Sequence, residues 1–348
     1  MSNLQLGLAL LGGVILLAVM AYNAWVTRKS APRKADPSIS THPQSFLDAG
    51  RLEPGFDGGA AVASETDLET RPPDRKLGLD SLVDVVTILT LDGEVSGDAI
   101  LVAMPGTRRV GSKPFAIEAR GVLSGEWESP RPGKRYSAVQ AGVQLANRHG
   151  ALNEIEFSEF VIKTQALADA LGAHPEFPDM RDEVLRAREL DQFASTHDAQ
   201  LGFTLRAVSA AWSPGYVHQH AARLGFVAGA LPGRMVFPSA LVSGGTALTL
   251  LFDTQAALAD NPEQSALREI SLLLDVAHVP QAEQPYARMR EVARALAQGM
   301  DGVLTDDQGG PLPDMALDRI GADLEGLYTA LEARDLAAGS PLARRLFS

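Results

Sequence analysis

The chain has 348 residues, 45% hydrophobic and 21% charged, with 43 Asp and Glu against 31 Lys and Arg for a net charge of -12. That composition fits one or two globular domains with tails rather than a fibrous chain, and the acidic excess, with no basic stripe in the body, argues against a protein that coats nucleic acid. The absence of cysteine removes a disulfide framework, Cys-ligated zinc, iron–sulfur clusters and thiol catalysis together.

The first element is an apolar run from Leu4 to Val26 with no charged residue before Arg28. At about 1.5 Å per residue it spans a hydrocarbon core of about 30 Å, so it reads as a transmembrane helix. The basic cluster Arg28, Lys29, Arg33 and Lys34 follows the run instead of preceding it, which favours an uncleaved anchor over a signal peptide. The same asymmetry sets the N-terminus outside and the remainder in the cytoplasm, with Tyr22 and Trp25 at the inner headgroup level. Ala9 and Gly13 have the small-xxx-small spacing that lets two helices approach, although ordinary lipid-facing small residues explain them as well.

Residues 28–80 follow as a basic exit and a linker carrying Pro37, Pro43, Pro54, Pro72 and Pro73 and no sustained period. Read as a disordered coil, it has an r.m.s. reach of roughly 35 to 40 Å.

Two α/β segments are expected next, over 81–198 and 199–336, with 337–348 as a tail. In the first, Val83–Leu91, Lys113–Arg120 and Tyr136–Asn147 read as strands, followed by a helix capped by Asn153 and another over Met180–Ser195. In the second, Leu201, Phe203, Leu205 and Ala207 alternate with Gly202, Thr204 and Arg206, a strand with one buried face. Ser213-Pro214 starts a helix that stops at Gly225. Strands follow over 234–238, 247–254 and 269–276, then a helix over 286–298, a strand over 302–306 and a helix over 314–333. This order implies an α+β domain, an antiparallel sheet with helices on one face. Each segment ends helix-then-strand, 182–195 with 200–208 and 290–298 with 302–306, so a degenerate duplication and convergence on a common rhythm both account for the pattern.

Chemistry is sparse. His218 and His220 lie at i,i+2 on a helix, about 200° apart, and cannot grip one metal. Asp301, Asp306 and Asp307 have no histidine nearby, and no phosphate loop, GxGxxG or GxSxG sequence is present. The sequence therefore reads as a non-enzyme with neither cofactor nor metal.

What remains is an exposed sheet face. Alternation groups Met235 with Phe237, Leu250 with Phe252 and Thr254, Ser271 with Leu273 and Asp275, and Thr204 with Arg206. These either line a groove for an amphipathic peptide or place Met235, Phe237 and Phe252 in the core.

The N-terminal LQLGLALLGGVILLAVMAYNAWVTRK and the C-terminal segments SPGYVHQHAARLGFVAG, ISLLLDV and ARMREVARALAQGMDGVLTDDQG resemble, in order and spacing, the ZipA family of membrane anchors for the division protein FtsZ. The resemblance covers the anchor and residues 201–336. It implies a split β-α-β domain of that antiparallel kind binding the FtsZ C-terminal peptide on its open sheet face, through Met235, Phe237, Phe252, Thr254, Leu273 and Arg206. It also implies an inner-membrane adaptor at the septum, held in the lipid bilayer through the run that includes Leu4, Trp25 and Val26. The alternative is a tethered interaction module of another envelope assembly, using the first α/β segment.

Overall fold

The structure, a computed structural model, describes residues 32–35, 78–306 and 309–348. The run bearing Leu4, Trp25 and Val26, linker residues 36–77 and Asp307 lie outside them. Among the described residues no helix is long and apolar enough to cross a membrane. The described residues form two units, 78–198 with 340–348 and 32–35 with 199–339.

The first unit runs β1 (Asp84–Leu91), α1 (Gly97–Ala103), β2 (Arg109–Val110), β3 (Lys113–Gly121), β4 (Arg135–Gln144), α2 (Glu154–Leu171), β5 (Ala173–Glu176) and α3 (Met180–His197). Its main sheet order is β2-β3-β4-β1-β5, every pair antiparallel. Asn153 caps α2 in a reciprocal box: its Oδ1 accepts from the N–H of Ile155 and Glu156, and the Glu156 carboxylate accepts from the Asn153 N–H. Val85, Leu89, Phe115, Ile117, Val139 and Val143 are buried, as are Phe157 and Phe160 of α2 and Val184 and Leu190 of α3. Phe115 meets Phe160 edge-on, ring centroids 6.0 Å apart.

The second unit runs β6 (Gln200–Ala207), α4 (Pro214–Arg223), β7 (Val227–Ala228), β8 (Arg234–Pro238), β9 (Thr246–Leu251), α5 (Thr254–Leu258), β10 (Glu269–Asp275), α6 (Pro285–Met300), β11 (Gly302–Thr305) and α7 (Asp314–Glu332). Its sheet order is β7-β8-β9-β10-β6-β11, again antiparallel throughout. One alternating set of strand residues, including Phe203, Leu205, Met235, Leu250, Ile270 and Leu272, packs in one core with Val217 of α4, Met289, Val292 and Leu296 of α6, and Leu317 and Leu324 of α7.

Leaving aside β7, α5 and other short pieces, the units share one topology: β1, α1, β2, β3, β4, α2, β5 and α3 correspond in turn to β6, α4, β8, β9, β10, α6, β11 and α7. Both mixed α/β units are thus antiparallel sheets with helices. The common corner is α2 into β5 and α6 into β11, not the 182–195 segment suggested by sequence rhythm. Each corner turns through one left-handed residue, Gly172 at φ 62° and Asp301 at φ 55°.

The last residues are not a loose tail. Helix α8 (Pro341–Leu346) belongs to the first unit, where Leu346 and Phe347 are buried. Its Arg345 pairs with buried Asp84 and donates to the Gly78 carbonyl at 3.3 Å, while the Arg345 carbonyl accepts from Gln144 Nε2 at 2.7 Å. Leu79 lies against the non-core face of this sheet: a Cβ on Gly142, which shares its row with Val86 and Ala116, would meet Leu79 Cδ2 at 2.4 Å. Glu118 and Gln140 on the same face are bonded to each other at 2.8 Å and buried. The first unit's second sheet face is therefore covered in part by its own chain, while Ile88, opposite Gln140 on that face, is 51% exposed.

Candidate peptide-docking face

In an antiparallel sheet, residues opposite one another share a face, so pairing fixes what a single strand leaves ambiguous. Met235 is opposite Leu250, Leu250 opposite Leu272, and Leu272 opposite Phe203, all four buried. That row is the helix-covered side.

The other side carries Val227, Val236, Thr249, Leu273 and Gly202 in register across five strands. At about 4.8 Å per strand this row is about 19 Å long. A second row runs Arg234, Leu251, Ser271 and Thr204. Val227 is 51% exposed, Gly202 is exposed, and Val236, Thr249, Leu251 and Leu273 are half-buried. Gly202 lets Leu273 lean over the neighbouring strand, since a Cβ there would lie 3.3 Å from Leu273 Cδ2. Leu251 and Ser271 also line a cavity of about 330 Å³ with Glu269 and Arg268. Arg206 marks the rim, between Val303 and Glu269, and its Nε is 3.4 Å from the Glu269 carboxylate.

Of the six residues expected on this face, Leu273 and Arg206 lie there. Met235 is 2% exposed on the opposite side. Phe237, two residues on, shares that side, with Phe226 at 5.5 Å between ring centroids and the Arg288 guanidinium 5.2 Å from its ring. Phe252 lies beyond the end of β9 and is buried, edge-on to His218 at 5.5 Å. Thr254 opens α5, because Asp253 Oδ1 accepts from the Gln255 N–H at 2.7 Å and converts the expected strand end into a helix start. The physical reason is common to the aromatic and Met positions: the largest apolar side chains gain most from burial, so Met235 and Phe252 enter the core and Phe237 packs half-buried against it. Val236, Thr249, Leu251 and Gly202 replace them on the open face. Met235→Ala should lower the stability of the second unit by about 2 to 5 kcal/mol, read by denaturant unfolding, a cost expected of a core residue and not of a surface one.

His218 and His220 both sit on α4, and burial lowers the pKa of each; the Arg223 and Arg33 charges add to the effect at His220. Among the described residues no three His, Asp or Glu side chains gather as a metal site.

Residues 256–323, from α5 through β10, α6 and β11 into α7, match the family model described as the ZipA C-terminal FtsZ-binding domain. That model describes a protein-binding domain rather than an enzyme family, and the match includes Leu273 but neither Arg206 nor strands β6, β8 and β9. No curated protein matches the chain. Over residues 256–323 the chain is thus similar to the C-terminal domain of the ZipA family.

Proposed function

We propose that the protein is a membrane-anchored cell-division adaptor whose second unit binds the C-terminal tail of FtsZ on its open sheet face. The observation that carries this reading is a half-exposed row, Val236, Thr249 and Leu273, on the sheet face opposite the helices, in a unit whose residues 256–323 match an FtsZ-binding domain. Val236, Leu251 and Leu273 receive the apolar stripe of the peptide, and Arg206 at the rim favours an acidic residue, adding rate and specificity more than affinity. The run from Leu4 to Val26 anchors the chain in the inner membrane with the units on the cytoplasmic side at the septum. Polymerised FtsZ presents many tails at once, so a modest site becomes a strong tether through effective concentration.

The first unit is read as a second copy of the same fold that contributes no tail site, because Leu79, the Gly78 segment and α8 occupy the corresponding face. Titration of the full chain in lipid nanodiscs with an FtsZ C-terminal peptide should therefore fit one site per chain. Absence of binding would overturn the function, and two sites per chain would overturn the closed first unit.

A further inference from the structure

Residues 32–35 close the basic exit of the apolar run and pack in the second unit, through Arg33 on the segment that holds Trp212. Arg33 pairs with Trp212 as a parallel bridge: the Arg33 N–H donates to the Ala211 carbonyl at 2.7 Å, and the Ser213 N–H donates to the Arg33 carbonyl at 2.8 Å. The guanidinium closes on the end of α6, with Nη2 2.7 Å from the Asp301 carboxylate and Nη1 donating to the Met300 carbonyl at 3.4 Å.

The receiving surface is also held by contacts that do not involve Arg33. Trp212 is fully buried; it exchanges two backbone hydrogen bonds with Leu267, at 2.9 and 2.8 Å, and its indole Nε1 donates to the Met300 carbonyl at 2.7 Å. Asp301, in the left-handed conformation, ends α6 and sets a carboxylate beside the helix's negative pole. An extended segment with an arginine suits this site: its backbone adds to the Trp212 edge, its fork meets a carboxylate and a carbonyl together, and Pro32 favours the extended form.

We propose that the Trp212 edge and the C-terminus of α6 form a second peptide-docking site, separate from the FtsZ-tail face, whose occupant is the chain's own residues 32–35. The site acts as a juxtamembrane latch. Arg33 is seven positions after Val26, and seven extended chain steps reach at most about 25 Å, so the latched unit stays close to the bilayer however long the stretch 36–77 is. That stretch then connects the latch to the first unit and does not set how far the FtsZ-binding unit roams. The distance from the bilayer rests on the anchor reading; the docking itself does not.

The test uses the full chain in nanodiscs and Arg33→Pro, which removes both the N–H donated to Ala211 and the guanidinium. Hydrogen exchange at the Ser213 amide should accelerate at least tenfold, while the Trp212 and Leu267 amides, paired with each other, stay protected and report an intact unit. Unchanged exchange at Ser213 would overturn the latch. Because the chain has no cysteine, Ala322→Cys on α7 accepts a single fluorophore, and energy transfer to a lipid-headgroup acceptor should fall at least twofold with Arg33→Pro. Loss of Ser213 protection with unchanged transfer would overturn the positional role. Failure of the chain to float with vesicles would overturn the anchor instead, and Ser213 exchange would still decide the docking.

Discussion

Leu273→Asp should weaken binding of the FtsZ tail peptide at least a hundredfold, about 2.7 kcal/mol, and leave the second unit folded. Leu273 is the centre of the open row, flanked by Thr249 on β9 and Gly202 on β6, and it is half-buried without a ligand. In the free protein a carboxylate there stays hydrated, so folding loses little. A docked peptide removes that water. The complex then forfeits about 1.5 to 3 kcal/mol of apolar burial and covers an unpaired charge, which costs more. Phe237→Asp is the control with the opposite profile, because Phe237 packs beneath Arg288 and against Phe226 on the helix side, and a charge there should lower the melting temperature. Peptide titration with circular dichroism separates the two variants. Wild-type affinity in Leu273→Asp would remove the face from the binding site.

How far the sequence disclosed this face depends on the strand. In β10 the phase is plain, since Ile270, Leu272 and Leu274 alternate with Ser271, Leu273 and Asp275, and the buried set is the former. The same holds for β6, where Gly202, Thr204 and Arg206 mark the open side. In β9 the run Ala247-Leu248-Thr249-Leu250-Leu251-Phe252 is apolar at nearly every position, so alternation selects no phase and hydrophobic size misleads. Only the pairing of Leu250 with Met235 and Leu272 assigns it. The start of α5 at Thr254 had a local signal in Asp253, and α1 had one in Ser96, whose hydroxyl accepts from the Ala99 N–H at 3.2 Å. Local patterning cannot disclose an ion pair between residues 268 positions apart, such as Arg33 and Asp301. The shared topology was hidden for a related reason. Its corners carry different residues, Gly172 and Asp301, because the backbone there requires a left-handed turn and not a particular side chain.

Arg345→Ala should destabilise the first unit by about 3 to 5 kcal/mol near neutral pH. Asp84 is 1% exposed, and its carboxylate pairs with the Arg345 guanidinium and accepts from the Asp80 N–H at 2.9 Å. Burial raises the Asp84 pKa above the ordinary carboxylate value, while hydrogen bonding and charge from Arg345 hold it down. Removing Arg345 takes away that restraint and leaves a buried charge without its cation. The pH dependence follows from the sign of the shift. A carboxyl whose folded pKa lies above its unfolded value of about 3.9 binds more protons folded than unfolded in the interval between, so its stabilising contribution is present below that interval and is lost as pH rises through it. The deficit of Arg345→Ala should therefore be small at pH 4 and grow toward pH 7, and Asp84→Asn in the same chain should recover most of it. Thermal unfolding of the full chain at both pH values, with hydrogen exchange locating the transition in residues 78–198, measures this. A deficit independent of pH, or one that Asp84→Asn does not relieve, would show that α8 stabilises the unit through Leu346 and Phe347 packing and not through the buried ion pair.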